Sequence, residues 1–350
     1  MTGPRPGPRP RGGRSSGRSA AGKLYALGAL GLLAAVLVLS LGMGAVSYGP
    51  RAVLSALTGE SSGGGDPVAA VIIRDLRLAR TLAAGLAGAA LAVSGALLQG
   101  LFRNPLADPY ILGTSAGASL GAAVALVFVR TPGSASLGAF AGALGAVALS
   151  GAATRSTARS GSTTSVLLAG TAVSALCSAG VTLLVSLRQQ DLYAVYFWLL
   201  GSFNGRGWGD LAILAPLSAA TTVAALLLAR PLDVLASGEE SARSLGLDVR
   251  LIRAAAVSVA ALGTAAAVAA GGIVGFVGLV APHAARLVFG PSHGRLIPAS
   301  AVAGAVLLMA ADALARTVLA PLELPVGVLT AFAGAPFFLV LLAHRGGGRR

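Results

Sequence analysis

Apolar and polar residues along this chain segregate into long blocks. Uncharged, largely apolar runs occupy Leu24–Val46, Thr81–Leu101, Ile111–Val129, Ala135–Ala153, Thr163–Leu187, Leu211–Ala229, Ala254–Ala285, Leu296–Ala311 and Val326–Ala343, and charged residues gather in the short segments between them. A helix needs roughly 20 apolar residues to cross a hydrocarbon core, so each such run predicts a membrane span. The block Ala254–Ala285 is too long for one span, at about 48 Å for a rise of 1.5 Å per residue, and slightly short for two. Its paired glycines, Gly271-Gly272, stand near the middle and allow a tight turn there.

Charge decides between one span and two. With the block split, ten spans place both termini on the side that holds most of the 26 Lys and Arg; with nine, the positive residues divide almost evenly. Cytoplasmic loops collect Lys and Arg. The prediction is therefore an all-α protein of the cell membrane with ten transmembrane helices and both termini cytoplasmic. A basic leader over 1–23 is expected to be disordered, one membrane domain fills 24–343, and a basic tail covers 344–350. Composition agrees: the 350 residues are 55% hydrophobic and only 11% charged, with a mean hydropathy of +0.81, too apolar for a soluble domain of this length. The net charge of +14 needs no nucleic acid. Its leader portion (Arg5, Arg9, Arg11, Arg14, Arg18, Lys23) lacks aromatic residues for base stacking and suits orientation and anionic membrane lipid.

Most catalytic chemistry is missing. GRSAAGKL, Gly17–Leu24, approaches a phosphate-binding loop, but Leu24 replaces the magnesium-binding hydroxyl and Lys23 is the chain's one lysine. ATP hydrolysis would have to come from a partner. Ion-coupled carriers place carboxylates in their spans; here Asp312 is the sole candidate, and Arg316 one turn later is expected to pair with it. His283, His293, His344 and Cys177 lack metal-ligand spacing, so no metal site and no cofactor are expected. His283 reads as a structural hydrogen-bonder, and Cys177 as a small buried residue. Gly113, Gly117 and Gly121, with Gly138 and Gly142, recur at the spacing that brings helix backbones close.

Two polar links stand out. In Pro231–Arg253, Ser237 and Glu240 have capping-box spacing, Glu239 and Glu240 suit a helix N-terminus, and Gly246 supplies a left-handed stop. A helix of about 238–245 is predicted, and one so short needs something to hold it; a cytoplasmic protein partner is the candidate, and an interfacial loop the plainer reading. In Phe102–Tyr110, Asp108 before Pro109 breaks the helix. On these residues alone a Pro-capped turn is favoured.

RLARTLAAGLAGAALAVSGALLQGLFRNPLADPYILGTSAGASLGA (Arg77–Ala122), GEESARSLG (Gly238–Gly246), GGIVGFVGLVAPHAARLVFG (Gly271–Gly290), ADALAR (Ala311–Arg316) and ELPVGVLTAFAGAPFFLVLL (Glu323–Leu342) together resemble the permease subunits of ATP-driven importers for iron-siderophores, haem and vitamin B12. The resemblance runs from Arg74 to Leu342 and implies a permease that is no enzyme itself. It further implies a second permease subunit, two cytoplasmic ATPase subunits and an extracytoplasmic substrate-binding (lipo)protein. Carried over by motif, Glu239, Glu240, Ala242, Arg243, Leu245 and Gly246 would contact the ATPase. Asn104, Pro105 and Leu106, with Thr163 and Thr164, would form the cytoplasmic gate. Arg77, Arg80 and Arg316 would dock the binding protein. Where the family has R-L-P-R, this chain has Ala79 in place of proline.

Overall fold

A computed structural model describes residues 15–59, 67–155 and 163–346, and among them only helices and connecting turns occur. In chain order α1 covers Ser15–Gly42, α2 Pro50–Thr58, α3 Pro67–Leu101, α4 Thr114–Val129, α5 Ser134–Arg155, α6 Thr163–Leu187 and α7 Leu192–Leu199. Then follow α8 at Trp208–Leu227, α9 at Ala229–Ala236, α10 at Glu239–Ser244, α11 at Val249–Gly271, α12 at Val277–Phe289, α13 at His293–Ala315 and α14 at Val326–Gly346. Seven of these are long and apolar enough to cross a membrane, and α4, α12 and α14 are shorter apolar helices.

The bundle is built around α3, which packs against α8, α11, α12 and α13. Its most apolar window is 83% buried, against 11% for α1 and 17% for α6. Side-chain size explains the ranking. The buried length of α3 is rich in Ala, Gly and Ser, so neighbouring backbones can approach closely. Around the periphery, leucines such as Leu168, Leu176 and Leu183 of α6 are 60% exposed or more, an outer surface suited to lipid. The predicted glycine ridge also does its work: a Cβ on Gly117 would lie 2.3 Å from the Gly142 carbonyl oxygen, and one on Gly121 2.0 Å from that of Gly138. This zips α4 onto α5.

The long apolar block divides at the paired glycines. Gly271 ends α11, and Gly272 adopts φ +70° where a Cβ would sit 2.6 Å from the Trp198 carbonyl oxygen. Other boundaries differ from expectation. α3 starts at Pro67 rather than Thr81 and carries Arg77 and Arg80 inside the helix, passing through π-helical turns at Ile72–Leu78; carbonyls satisfy the Arg77 guanidinium and carboxylates pair with Arg80, so neither arginine ends the helix. α1 starts at Ser15, which makes residues 15–23 of the leader helical, and puts Gly17–Leu24 in a helix rather than a phosphate loop. The leader's residues 1–14 lie outside the described residues, as do 347–350 of the tail, whose earlier part continues α14.

Candidate functional site

Polar side chains collect at the two ends of the bundle. At one end, Asp312 of α13 is wholly buried and receives Arg80 from α3, Nη2 at 2.9 Å and Nε at 3.0 Å, and Arg316 from its own helix, Nε at 3.2 Å. Arg80 Nη1 donates to both carboxylate oxygens of Glu323, each at 3.0 Å. Arg316 Nη2 donates to the Ser40 hydroxyl at 2.8 Å and to the Ser40 carbonyl at 3.2 Å. Arg77 donates to the carbonyls of Leu41 at 3.0 Å and Val46 at 2.6 Å, and lies over the Tyr48 ring at 5.1 Å. Carbonyls in the last turn of a helix lack intrahelical donors, and arginines from α3 and α13 supply them for α1.

The three arginines expected to dock a partner thus converge in one cluster. They are 8%, 7% and 5% exposed, each turned into the bundle. A guanidinium taken out of water needs nearby carboxylates or carbonyls, and here those come from within the chain. The expected Asp312–Arg316 pair forms, with Arg80 as an added partner.

At the other end, α10 begins after Gly238, at φ +124°, and stops at Gly246, at φ +82°. Gly246 N–H donates to the Arg243 carbonyl at 2.9 Å and Leu247 N–H to that of Ala242 at 3.0 Å, the paired bonds of a left-handed helix stop. The predicted capping box does not form. Helix α9 reaches Ala236, Ser237 takes helical angles as its end cap, and Gly238 caps α10 without a side chain. Ala242 is fully buried, whereas Glu240, Ser241, Arg243, Ser244, Leu245 and Gly246 are exposed, Leu245 at 70%. Glu239 turns toward the bundle. It pairs with Arg253 at the foot of α11, with Arg243 at 3.8 Å, and with Arg103 at 3.9 Å.

Arg103, at φ +49°, opens the link between α3 and α4. There Asn104 Oδ1 accepts from Leu106 N–H at 3.0 Å, closing a turn in which Asn104 is exposed and Pro105 and Leu106 are half-buried. The backbone then extends at Asp108, as Pro109 requires, and the Asp108 carboxylate accepts from Tyr110 N–H at 2.8 Å. Burial pushes the Asp108 carboxyl up to about 6, with the Tyr110 bond opposing. Tyr110 Oη donates to the Val274 carbonyl at 3.0 Å, fastening the link to the segment between α11 and α12. Of the second expected gate element, Thr163 opens α6 and Thr164 is exposed; residues 156–162 before them lie outside the described residues. Further along, α6 meets the link where a Cβ on Gly170 would lie 2.1 Å from the Ile111 carbonyl oxygen.

Asp233 of α9 grips the start of α13. It accepts from His293 Nδ1 at 2.6 Å, His293 N–H at 2.9 Å and Ser292 Oγ at 3.0 Å. Burial alone would raise its pKa, but the bonds from His293 and Ser292 outweigh that and hold it below the usual range. His283 is buried edge-on to Phe337, and Cys177 is buried. Among the described residues no group of three or more His, Cys, Asp and Glu could hold a metal ion.

A sequence profile of the FecCD transport family matches residues 32–344. The chain belongs to the FecCD transport family. This FecCD protein is 40% identical to the hemin transport system permease protein HmuU of Yersinia pestis over 322 residues, 90% of this chain and 94% of that one. It is 43% identical to the cobalamin import system permease protein BtuC of Halobacterium salinarum over 282 residues, 79% and 74% of the two chains. Its fold matches a solved inward-facing ABC transporter, described as of the metal-chelate type, with a TM-score of 0.81 at 32% identity, covering 91% of this chain and 98% of that one. FecCD proteins are membrane permeases of ABC transporters, so ATP hydrolysis belongs to a separate subunit.

Sequence reasoning overlooked several polar residues of this FecCD chain: Glu323, Asp233, His293, Arg103 and Arg253. All but Arg253, whose partner Glu239 is 14 residues away, are joined to a partner far along the sequence, and only Asp233 carried a local sign, a carboxylate on a short amphipathic helix.

Proposed function

We propose that this chain is the membrane-spanning subunit of an ATP-driven importer that moves an iron-siderophore complex inward by alternating access. It crosses the membrane ten times with both termini in the cytoplasm, pairs with a second permease subunit, and works with two ATPase subunits and an extracytoplasmic binding protein. Two contacts support that topology. Ser40 and Leu41, late in α1, meet the arginine cluster, and α14 begins where Val326 N–H donates to the Gly201 carbonyl, close to the end of α11. Both terminal helices then run away from that cluster, toward the end that holds α10.

The observation that carries the reading is the double character of α10. Its outward face exposes Glu240, Arg243, Leu245 and Gly246 to an ATPase groove, while Ala242 is sealed inside and Glu239 joins Arg253 and Arg103. A push on the exposed face would reach α11 and the Asn104-Pro105-Leu106 turn through one carboxylate, changing which mouth is open. Thr163 and Thr164 would close the same mouth from α6. Arg77, Arg80 and Arg316 would act at the outer end, where three guanidiniums against the carboxylates of Asp312 and Glu323 leave a positive excess that attracts an acidic partner surface.

Hemin or cobalamin as cargo is the second reading, supported by the substrates named for the two relatives. Uptake into proteoliposomes holding the chain, its ATPase and each candidate binding protein tests the proposal. ATP-dependent accumulation of a radiolabelled iron-siderophore is expected. Accumulation driven by an ion gradient without ATP overturns the class, and accumulation of hemin or cobalamin alone overturns the cargo.

A further inference from the structure

Arg80 has two carboxylate partners of opposite character. Asp312 is fully buried and takes Nε and Nη2, which orients the guanidinium from within. Glu323 takes Nη1, and its side chain is 36% exposed. Glu323 also sits in the turn between α13 and α14, beside Leu322, which is 73% exposed. Only the Nη1 edge of Arg80 therefore looks toward the outer rim, and a residue already partly in solvent covers it.

We infer that Glu323 is a placeholder: in the undocked protein it occupies the Arg80 position that a carboxylate of the extracytoplasmic binding protein takes on docking. The inference rests on the docking role proposed above for the arginine cluster. Exchange conserves the hydrogen bonds on Nη1, because one carboxylate replaces another. It leaves Asp312 in place, so the guanidinium stays oriented and no buried charge is stranded. It returns to water a carboxylate that is already partly hydrated, which costs little compared with opening a buried pair. The exchange also explains how an arginine only 7% exposed can serve an outside partner: the partner needs to reach one guanidinium edge, not the whole side chain. An internal competitor of this kind weakens docking, helping the binding protein to leave after delivery.

The test uses the chain with its ATPase in nanodiscs, and the binding protein with which the unmodified complex carries out uptake. Glu323→Gln keeps an oxygen for Arg80 Nη1 and removes the competing charge. It should tighten binding-protein affinity about three- to five-fold at low salt, an effect of the size expected for one part-exposed ion pair, and the gain should vanish at high salt. Glu323→Asp, which keeps the charge, should stay within about two-fold of the unmodified protein. Unchanged or weaker affinity for a Glu323→Gln protein with unmodified melting behaviour overturns the exchange. The docking role is read separately from the unmodified complex: affinity that falls with salt while Glu323→Gln has no effect leaves docking standing without exchange. Affinity indifferent to salt overturns both.

Discussion

Arg80 and Asp312, 232 residues apart in sequence, meet through two nitrogens of one guanidinium inside the bundle. The contact ties α3 to α13, and Arg316 closes it from the opposite side. Every member of this group has a partner inside the chain, so the cluster holds α1, α3 and α13 together. That structural role and the docking role proposed above predict different outcomes for different substitutions.

Asp312→Ala leaves Arg80 and Arg316 buried and facing one another without the carboxylate between them. Removing one member of a buried ion pair costs about 3–5 kcal/mol, so the variant should unfold at markedly lower temperature or fail to accumulate. Asp312→Asn, which keeps one oxygen acceptor and loses the charge, should lie between it and the unmodified chain. Thermal unfolding in detergent, followed by circular dichroism, reads the order. Equal melting of Asp312→Ala and unmodified protein would show that the cluster carries no stability.

Asp108 gives the link between α3 and α4 a pH dependence. Its carboxyl is raised from 3.8 to about 6 in the folded protein, burial being the larger cause. The folded state therefore holds this proton more tightly than the unfolded chain does. Stability contributed by the group is fullest below the unfolded value and declines as pH rises through the window between about 4 and about 6. Asp108→Asn keeps the acceptor for Tyr110 N–H without the titration. Its stability should gain on that of the unmodified chain across this window, by on the order of 1–2 kcal/mol at neutral pH, read as a rising difference in melting temperature. Parallel pH profiles for the two proteins would reject the assignment.

The two glutamates that open α10 should separate in their effects. Glu240 is exposed, whereas Glu239 is held by Arg253, Arg103 and Arg243. Glu240→Arg should weaken ATPase association while leaving the melting temperature unchanged. Glu239→Ala should lower stability by about 1 kcal/mol and slow transport more than association, because it cuts the link to Arg103 and the turn proposed as a gate. Co-purification with the ATPase and uptake assays on the two variants provide the comparison. If they behave alike, the division of labour within α10 is wrong.

The apolar blocks, the turn at Gly271-Gly272 and the short helix before Gly246 were all legible because each rests on local physics: block length, backbone freedom, or a left-handed stop. Ser237 misled for a local reason as well. Capping-box spacing was present, but α9 ran on through Ala236 and claimed the residue first. The directions of charged side chains were not legible. Arg77 and Arg80 lie at the end of an apolar block and look like rim charges until Glu323, Asp312 and the carbonyls of α1 are placed beside them. Those partners arrive from distant parts of the chain, and hydropathy carries no information on which helices become neighbours.

Gly100 and His293 form the contact most open to a double-mutant test. The imidazole packs so close to α3 that a Cβ on Gly100 would lie 2.1 Å from Nε2, while Nδ1 is committed to Asp233 at 2.6 Å. The ring is thus wedged between a backbone and a carboxylate, and it fastens α9, just before α10, to the start of α13. Gly100→Ala must push the ring away or shift α3, at a cost of about 1–3 kcal/mol for overpacking, and in doing so it pulls Nδ1 from Asp233. His293→Ala loses the same bond without overpacking. If the wedge is real, the pair of substitutions should cost clearly less than the two single costs added together, because the second removes the clash made by the first. Additive losses would mean that α3 yields instead of the ring. The same variants also test the route from linker to α13: uptake should fall in Gly100→Ala and stay low in the double variant, which recovers packing but not the bond to Asp233.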